Sequence, residues 1–182
     1  MKKTVFLAAL ICCAMTTVFT SCDKDDDNKL KPETEDTTPV AAVMNYTLKV
    51  GDDILGSFNL TVEYYNAEGK LQTEPMTQSE WKKSVKANLP VNLGARLKIQ
   101  LKEGINFDNI EKFNVSYGYS FNGYAVSAND KVVGNQVRGG TDTSMSMKGD
   151  KVIEWSERRA DGLVKFLYSF AADGQATSTS WE

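Results

Sequence analysis

The sequence predicts an all-β protein, an antiparallel β-sandwich with one short inserted helix. Three observations carry this. Apolar residues recur at every second position through most of the chain from residue 40 onward, as in strands that bury one face. Asn-Gly, Asp-Gly and other Gly-bearing turns punctuate those runs at strand-length intervals. One stretch alone carries helical spacing between them.

The elements follow in order. Tyr46, Leu48 and Val50 alternate with Thr47 and Lys49, and Gly51-Asp52-Asp53 turns the chain. Phe58, Leu60, Val62 and Tyr64 make the next apolar face, closed by the turn Asn66-Ala67-Glu68-Gly69. The period then changes. Thr77 and Glu80 have the spacing of a capping box, in which a hydroxyl and a carboxylate satisfy first-turn amides. Trp81, Val85 and Leu89 fall at i, i+4 and i+8, one stripe of a helix that Asn88 and Pro90 would end. Alternation resumes with Leu93, Ala95, Leu97, Ile99 and Leu101 against Arg96, Lys98, Gln100 and Lys102. A loop spans Glu103 to Asn109. Phe113, Val115, Tyr117, Tyr119 and Phe121 then share a face.

Asn122-Gly123 reads as a two-residue hairpin turn, because both residues tolerate the positive φ that such turns need. It would place Tyr124 opposite Phe121 and Val126 opposite Tyr119. Lys131 to Thr143 is polar and Gly-rich and reads as a long mobile loop. Two more turns, Asp161-Gly162 and Asp173-Gly174, lay out a meander. They would pair Ile153 with Phe170, Trp155 with Tyr168, Phe170 with Thr177 and Phe166 with Trp181. The total is roughly nine or ten strands with the helix between the third and fourth. A sandwich of immunoglobulin-like or related type accommodates them, and an up-and-down barrel is the alternative.

Composition narrows the chemistry. The chain has no His and three Cys, and its formal net charge is -3. Without His, neither a Ser-His-Asp nor a Cys-His mechanism exists, nor a His-ligated zinc site. Cys12 and Cys13 lie in an apolar leader and Cys22 just after it, so the domain itself has no thiol. Glu63, Glu103, Glu111, Glu154 and Glu157 are the carboxylates available for glycoside hydrolysis, which needs two across a cleft. No motif marks a pair. No basic patch suggests nucleic acid. The expectation is a protein without catalysis, cofactor or metal.

The N-terminal stretch is the most specific part of the chain. Lys2 and Lys3 precede an apolar run from Val5 to Phe19, too short for a spanning helix, which needs about 20 residues. Phe19-Thr20-Ser21-Cys22 follows and resembles the lipobox of bacterial lipoproteins, with Phe19 where Leu is commonest. The resemblance implies removal of residues 1–21 as a signal peptide and lipidation of Cys22, which then holds the protein to a membrane. Lys24-Asp25-Asp26-Asp27 resembles the acidic export signal of surface lipoproteins of the Bacteroidota type, in which it directs the protein to the outer face of the outer membrane. Residues 22–39, acidic and with two Pro, read as a flexible tether. Residues 40–182 make a single β domain.

Exposed aromatic rings near polar loops are the features that would bind a ligand, and Tyr65, Tyr117, Tyr119 and Tyr124 are the candidates. Trp155, Tyr168 and Trp181 form a second aromatic set. Each row is equally the substance of a hydrophobic core, since aromatics on the apolar face of a strand are usually buried. The functional expectation is a membrane-anchored, cell-surface binding protein. Its partner would be a polysaccharide or, alternatively, a surface protein contacted in a structural or adhesive role.

Overall fold

The structure, a computed structural model, describes residues 36–181. Residues 1–21, expected to be a signal peptide, Cys22 and the acidic run Lys24, Asp25, Asp26 and Asp27 lie outside the described residues. Among the described residues nine strands and two short α-helices, the second preceded by a 3-10 turn at Gly149–Lys151, follow in chain order. They are β1 (Pro39–Val50), α1 (Asp52–Ser57), β2 (Phe58–Tyr65), β3 (Leu71–Pro75), β4 (Glu80–Asn88), β5 (Val91–Leu101), β6 (Phe113–Ser127), β7 (Val132–Met147), α2 (Val152–Glu157), β8 (Val164–Phe170) and β9 (Ala176–Thr179). The first sheet runs β4-β1-β6-β7 and the second β3-β2-β5-β8-β9, all antiparallel. Neither closes on itself. The sandwich expected from the alternation is what forms, and the barrel is not. Among the described residues no helix is long and apolar enough to cross a membrane.

Period-two burial builds the core. Met44, Tyr46, Leu48 and Val50 of β1 point inward, as do Phe58, Leu60, Val62 and Tyr64 of β2 and Leu93, Ala95, Leu97 and Ile99 of β5. Phe58 is fully buried and meets three rings, those of Phe107, Phe113 and Trp155, at centroid distances of 6.5, 6.4 and 6.1 Å. Each sheet is held at its centre by a pairing between distant segments. Tyr46 of β1 lies opposite Phe121 of β6, and Leu93 of β5 opposite Tyr168 of β8.

The predicted helix over Thr77 to Leu89 is strand β4. Positions i, i+4 and i+8 satisfy period two as well as period 3.6, and here Lys83 and Ala87 share the inward face with Trp81 and Val85. Pairing with β1, Trp81 opposite Leu48 and Val85 opposite Met44, overrides helix spacing. The capping box does not form, and Glu80 instead pairs with Lys82 at 2.7 Å. The helices lie elsewhere. The presumed turn Gly51-Asp52-Asp53 opens α1, with two acids in its first turn and Ile54 fully buried. Asp53 ties α1 to β6 by accepting from the Asn114 backbone at 2.6 Å. The presumed strand around Ile153 and Trp155 is α2, in which Val152 and Trp155 are buried and Ile153 is exposed, an i, i+3 pattern.

The turn expectations fare unequally. Asn122-Gly123 does not turn. It lies inside β6, with Asn122 opposite both Asn45 and Arg138. Glycine is needed there for closeness: a Cβ on Gly123 would meet the Met44 sulfur at 2.7 Å and the Val137 side chain at 2.9 Å. The actual turn comes later. Ser127 donates to the Lys131 carbonyl at 2.9 Å, and Asp130 adopts a positive φ of 59°. Its return strand is β7, so the supposed mobile loop over Lys131 to Thr143 is ordered and paired. It read as loop because most of it is exposed at a sheet edge. Asp161-Gly162 joins α2 to β8 and makes no hairpin. Asp173-Gly174 does join β8 to β9, but Phe170 faces Ala176, one residue from the expected partner. The loop holds three residues between Ala171 and Gln175, with Gly174 left-handed at φ 79°, and the extra residue shifts the register. Asn66 to Gly69 turns as expected, between β2 and β3.

Candidate functional site

The four candidate tyrosines do not form one surface. Tyr117 and Tyr119 lie on the inward face of β6, half-buried and packed against the core. Tyr124 belongs to the opposite face, because β6 runs straight through Asn122-Gly123; its cross-strand neighbours are Val43 and Gln136. Tyr65 ends β2 on the outward face of the second sheet, half-buried. Trp155 is core.

Tyr119 belongs to an aromatic cluster near the open β7–β9 edge. Its ring lies 5.3 Å from Phe166, Phe166 lies 4.4 Å from Phe121, and Phe121 lies 5.2 Å from Tyr168. The first two contacts are stacked within 20°. The ring faces that a ligand would use are spent on each other. A cleft of about 560 Å³ borders this cluster. At the other open edge, between β3 and β4, the Glu74 carboxylate accepts from the Tyr64 hydroxyl at 2.6 Å, the Trp81 indole at 3.1 Å and the Lys83 ammonium. The hydrogen bonds from Lys83 and Tyr64 hold the Glu74 carboxyl below the usual carboxylate range. Glu74 therefore ties the second sheet to the first.

Tyr65 stands in a different setting. Its ring stacks on Trp181 at 5.4 Å, and the Arg96 guanidinium lies 4.8 Å from the Trp181 ring centre. Arg96 is itself fixed by two hydrogen bonds to Glu63, at 2.6 and 2.8 Å, and Lys98 reaches the same carboxylate at 2.8 Å. Burial alone would raise the Glu63 carboxyl, but the hydrogen bonds and charges of Lys98 and Arg96 hold it below the usual range. The Trp181 indole donates to the Phe166 carbonyl at 3.2 Å. This succession from Glu63 through Arg96 and Trp181 sets the plane of Tyr65.

Beside that ring lies an open cavity of about 560 Å³ at the loop end of the sandwich. Glu68, Asn88, Asn92 and Ser169 supply its polar groups. Glu68 is placed by the β2–β3 turn, in which the Asn66 side-chain oxygen Oδ1 accepts from the Glu68 and Lys70 amides at 3.1 and 2.9 Å. Asn88 ends β4 and Asn92 is the second residue of β5, so the crossover between sheets at Leu89-Pro90 brings both amides to one rim. Ser169 lies directly across from Asn92. Among the described residues none of these four side chains makes a hydrogen bond or ion pair. Asn donates and accepts, a carboxylate accepts from two neighbouring hydroxyls, and a tyrosine offers an apolar face and a polar tip. This set suits a polyhydroxylated ligand, and it carries one carboxylate only.

Sequence reasoning singled out Tyr65 and missed the other four. The helical spacing that makes Asn88 a helix end hides its place at a crossover between sheets. Glu68 and Ser169 carry no motif. The chain matches no protein-family model, no curated protein and no solved structure.

Proposed function

We propose that the protein is a lipid-anchored lipoprotein of the outer membrane, facing the cell exterior, whose β domain binds polysaccharide without catalysis. The anchoring part of this reading rests on Phe19-Thr20-Ser21-Cys22 and Lys24-Asp25-Asp26-Asp27. The binding part rests on one observation. A positioned Tyr65 ring borders a cavity whose polar side chains, Glu68, Asn88, Asn92 and Ser169, are all uncommitted. Preorganised rings and free amides are what carbohydrate recognition needs, because ordering costs are then met before the ligand arrives. The single carboxylate of the cavity supports binding over hydrolysis, which takes two. The structural or adhesive reading finds its support in the unpaired edge of β7.

The test is a polysaccharide array probed with the full chain. Tyr65→Ala and Asn92→Ala should each weaken binding at least about tenfold, a loss of about 1.4 kcal/mol. The exposed Asn92 side chain makes no hydrogen bond or ion pair among the described residues, so its variant should melt like the wild type. No binding to any polysaccharide, or unchanged binding by both variants, overturns the reading.

A further inference from the structure

A sheet edge is an adhesive surface, and proteins blunt it with short strands, Pro, or charge, especially Lys. The sandwich has four edges, at β3, β4, β7 and β9. Three are blunted. β9 has 4 residues. β3 has 5, carries Glu74 and ends at Pro75. β4 carries Lys82, Lys83 and Lys86. β7 differs in length and in lacking Lys and Pro. It is 16 residues long, has neither Lys nor Pro, and from Val137 to Met147 pairs with β6 in unbroken register. Its inward-facing Thr141 and Met145 remain exposed, so the second sheet does not cover that part of the strand.

β7 has two charged residues, Arg138 and Asp142. They are spaced evenly about Gly140. An antiparallel copy of the strand centred on Gly140 would set Arg138 opposite Asp142 and Asp142 opposite Arg138, on one face, by a two-fold axis. Paired residues then fall Thr141 to Gly139 and Thr143 to Val137, with no like charges opposed. Arg138 now bonds only neutral partners, Asn122 at 3.2 Å and Gln136 at 2.6 Å, and Asp142 makes no hydrogen bond or ion pair among the described residues. The Asp142 carboxylate rests over Gly118 and is exposed.

We propose that two copies of this chain associate edge to edge along β7, in the antiparallel register centred on Gly140, giving a continuous eight-stranded sheet across the two-fold axis. Strand addition supplies main-chain hydrogen bonds, and the two charge pairs select the register. The aromatic cleft of each copy opens at this same edge, so pairing joins the two clefts across the axis. The Tyr65 cavity plays no part, and the oligomeric state is read without any ligand.

The experiment is a concentration series of the full chain in a non-ionic detergent, followed by sedimentation velocity. The wild type should shift from monomer to dimer. Arg138→Asp opposes two Asp pairs and Asp142→Arg two Arg pairs, so each variant alone should dimerise about tenfold more weakly or worse. The double variant R138D/D142R should recover the dimer. Mixing the two single variants should recover it as well, since each then presents the complement of the other; this also shows that both are folded. A wild type that stays monomeric at every concentration, even if its edge captures a strand from another protein, overturns the proposal. So do single variants that dimerise like the wild type, or a double variant or mixture that fails to recover.

Discussion

Trp181 stacks on Tyr65 with ring centroids 5.4 Å apart and planes 29° apart, while Arg96 sits 4.8 Å from the Trp181 ring centre. A residue far along the chain thus sets the ring that borders the cavity. Trp181→Ala should lower stability by about 1–2 kcal/mol, from one stacked pair and one cation–π contact. In urea titrations, Arg96→Ala should cost about 0.5–1 kcal/mol less in the Trp181→Ala background than in the wild type. Full additivity would mean that the two side chains are merely adjacent.

Glu63 gives a pH dependence of definite sign. Its carboxyl titrates below the ordinary range when folded, so its contribution is complete above its unfolded pKa of about 4.3 and is lost as pH falls through the folded value. Glu63→Gln should cost about 1–3 kcal/mol at neutral pH. That is less than a fully buried pair would cost, because Lys98 is partly exposed. The gap between wild type and variant should stay constant from pH 7 to about 5 and narrow below that. A gap that widens in acid would contradict the assignment.

Gly123 separates two explanations of a glycine. A turn residue with positive φ would tolerate Asn. A glycine chosen for closeness to Met44 and Val137 would not. Gly123→Asn and Gly123→Ala should both destabilise, by about 1–3 kcal/mol from overpacking. Met44→Ala should relieve part of the cost of Gly123→Ala, giving a double variant more stable than the two losses combined.

The N-terminal reading gives two separable outcomes. Cys22→Ala should yield protein that no longer partitions into detergent. Replacing Asp25, Asp26 and Asp27 with Ala should leave detergent partitioning intact but protect the domain from protease added to whole cells. Anchoring depends on buried acyl chains, about 0.8 kcal/mol per methylene, which exposed carboxylates barely influence across salt. A triple variant that stays protease-accessible would remove the basis for the surface assignment.

The fold class was legible because alternation survives at strand centres: β2 and β5 lie where Phe58 to Tyr64 and Leu93 to Leu101 placed them. What failed was local punctuation. Asn122-Gly123 has the letters of a turn, but β1 and β7 flank it on both sides and bind it as strand. Trp81, Val85 and Leu89 fit two periods, and only the partner strand chooses between them. β7 was missed because an edge strand has few buried residues to show a pattern. The cavity was invisible except for Tyr65, since its amides meet through a crossover between sheets that no spacing rule records.

The two central pairings have a consequence for how the chain becomes a protein. Tyr46 meets Phe121 and Leu93 meets Tyr168, in each case across about 75 residues. Such contacts must wait for long loops to close, so folding of this topology belongs to the millisecond-to-second class rather than the microsecond one. Neither sheet acquires its middle until segments from both halves of the domain are present together. Under the proposed export of this chain across a membrane, that delay would leave it extended and passable while it is moved, with collapse only on the far side.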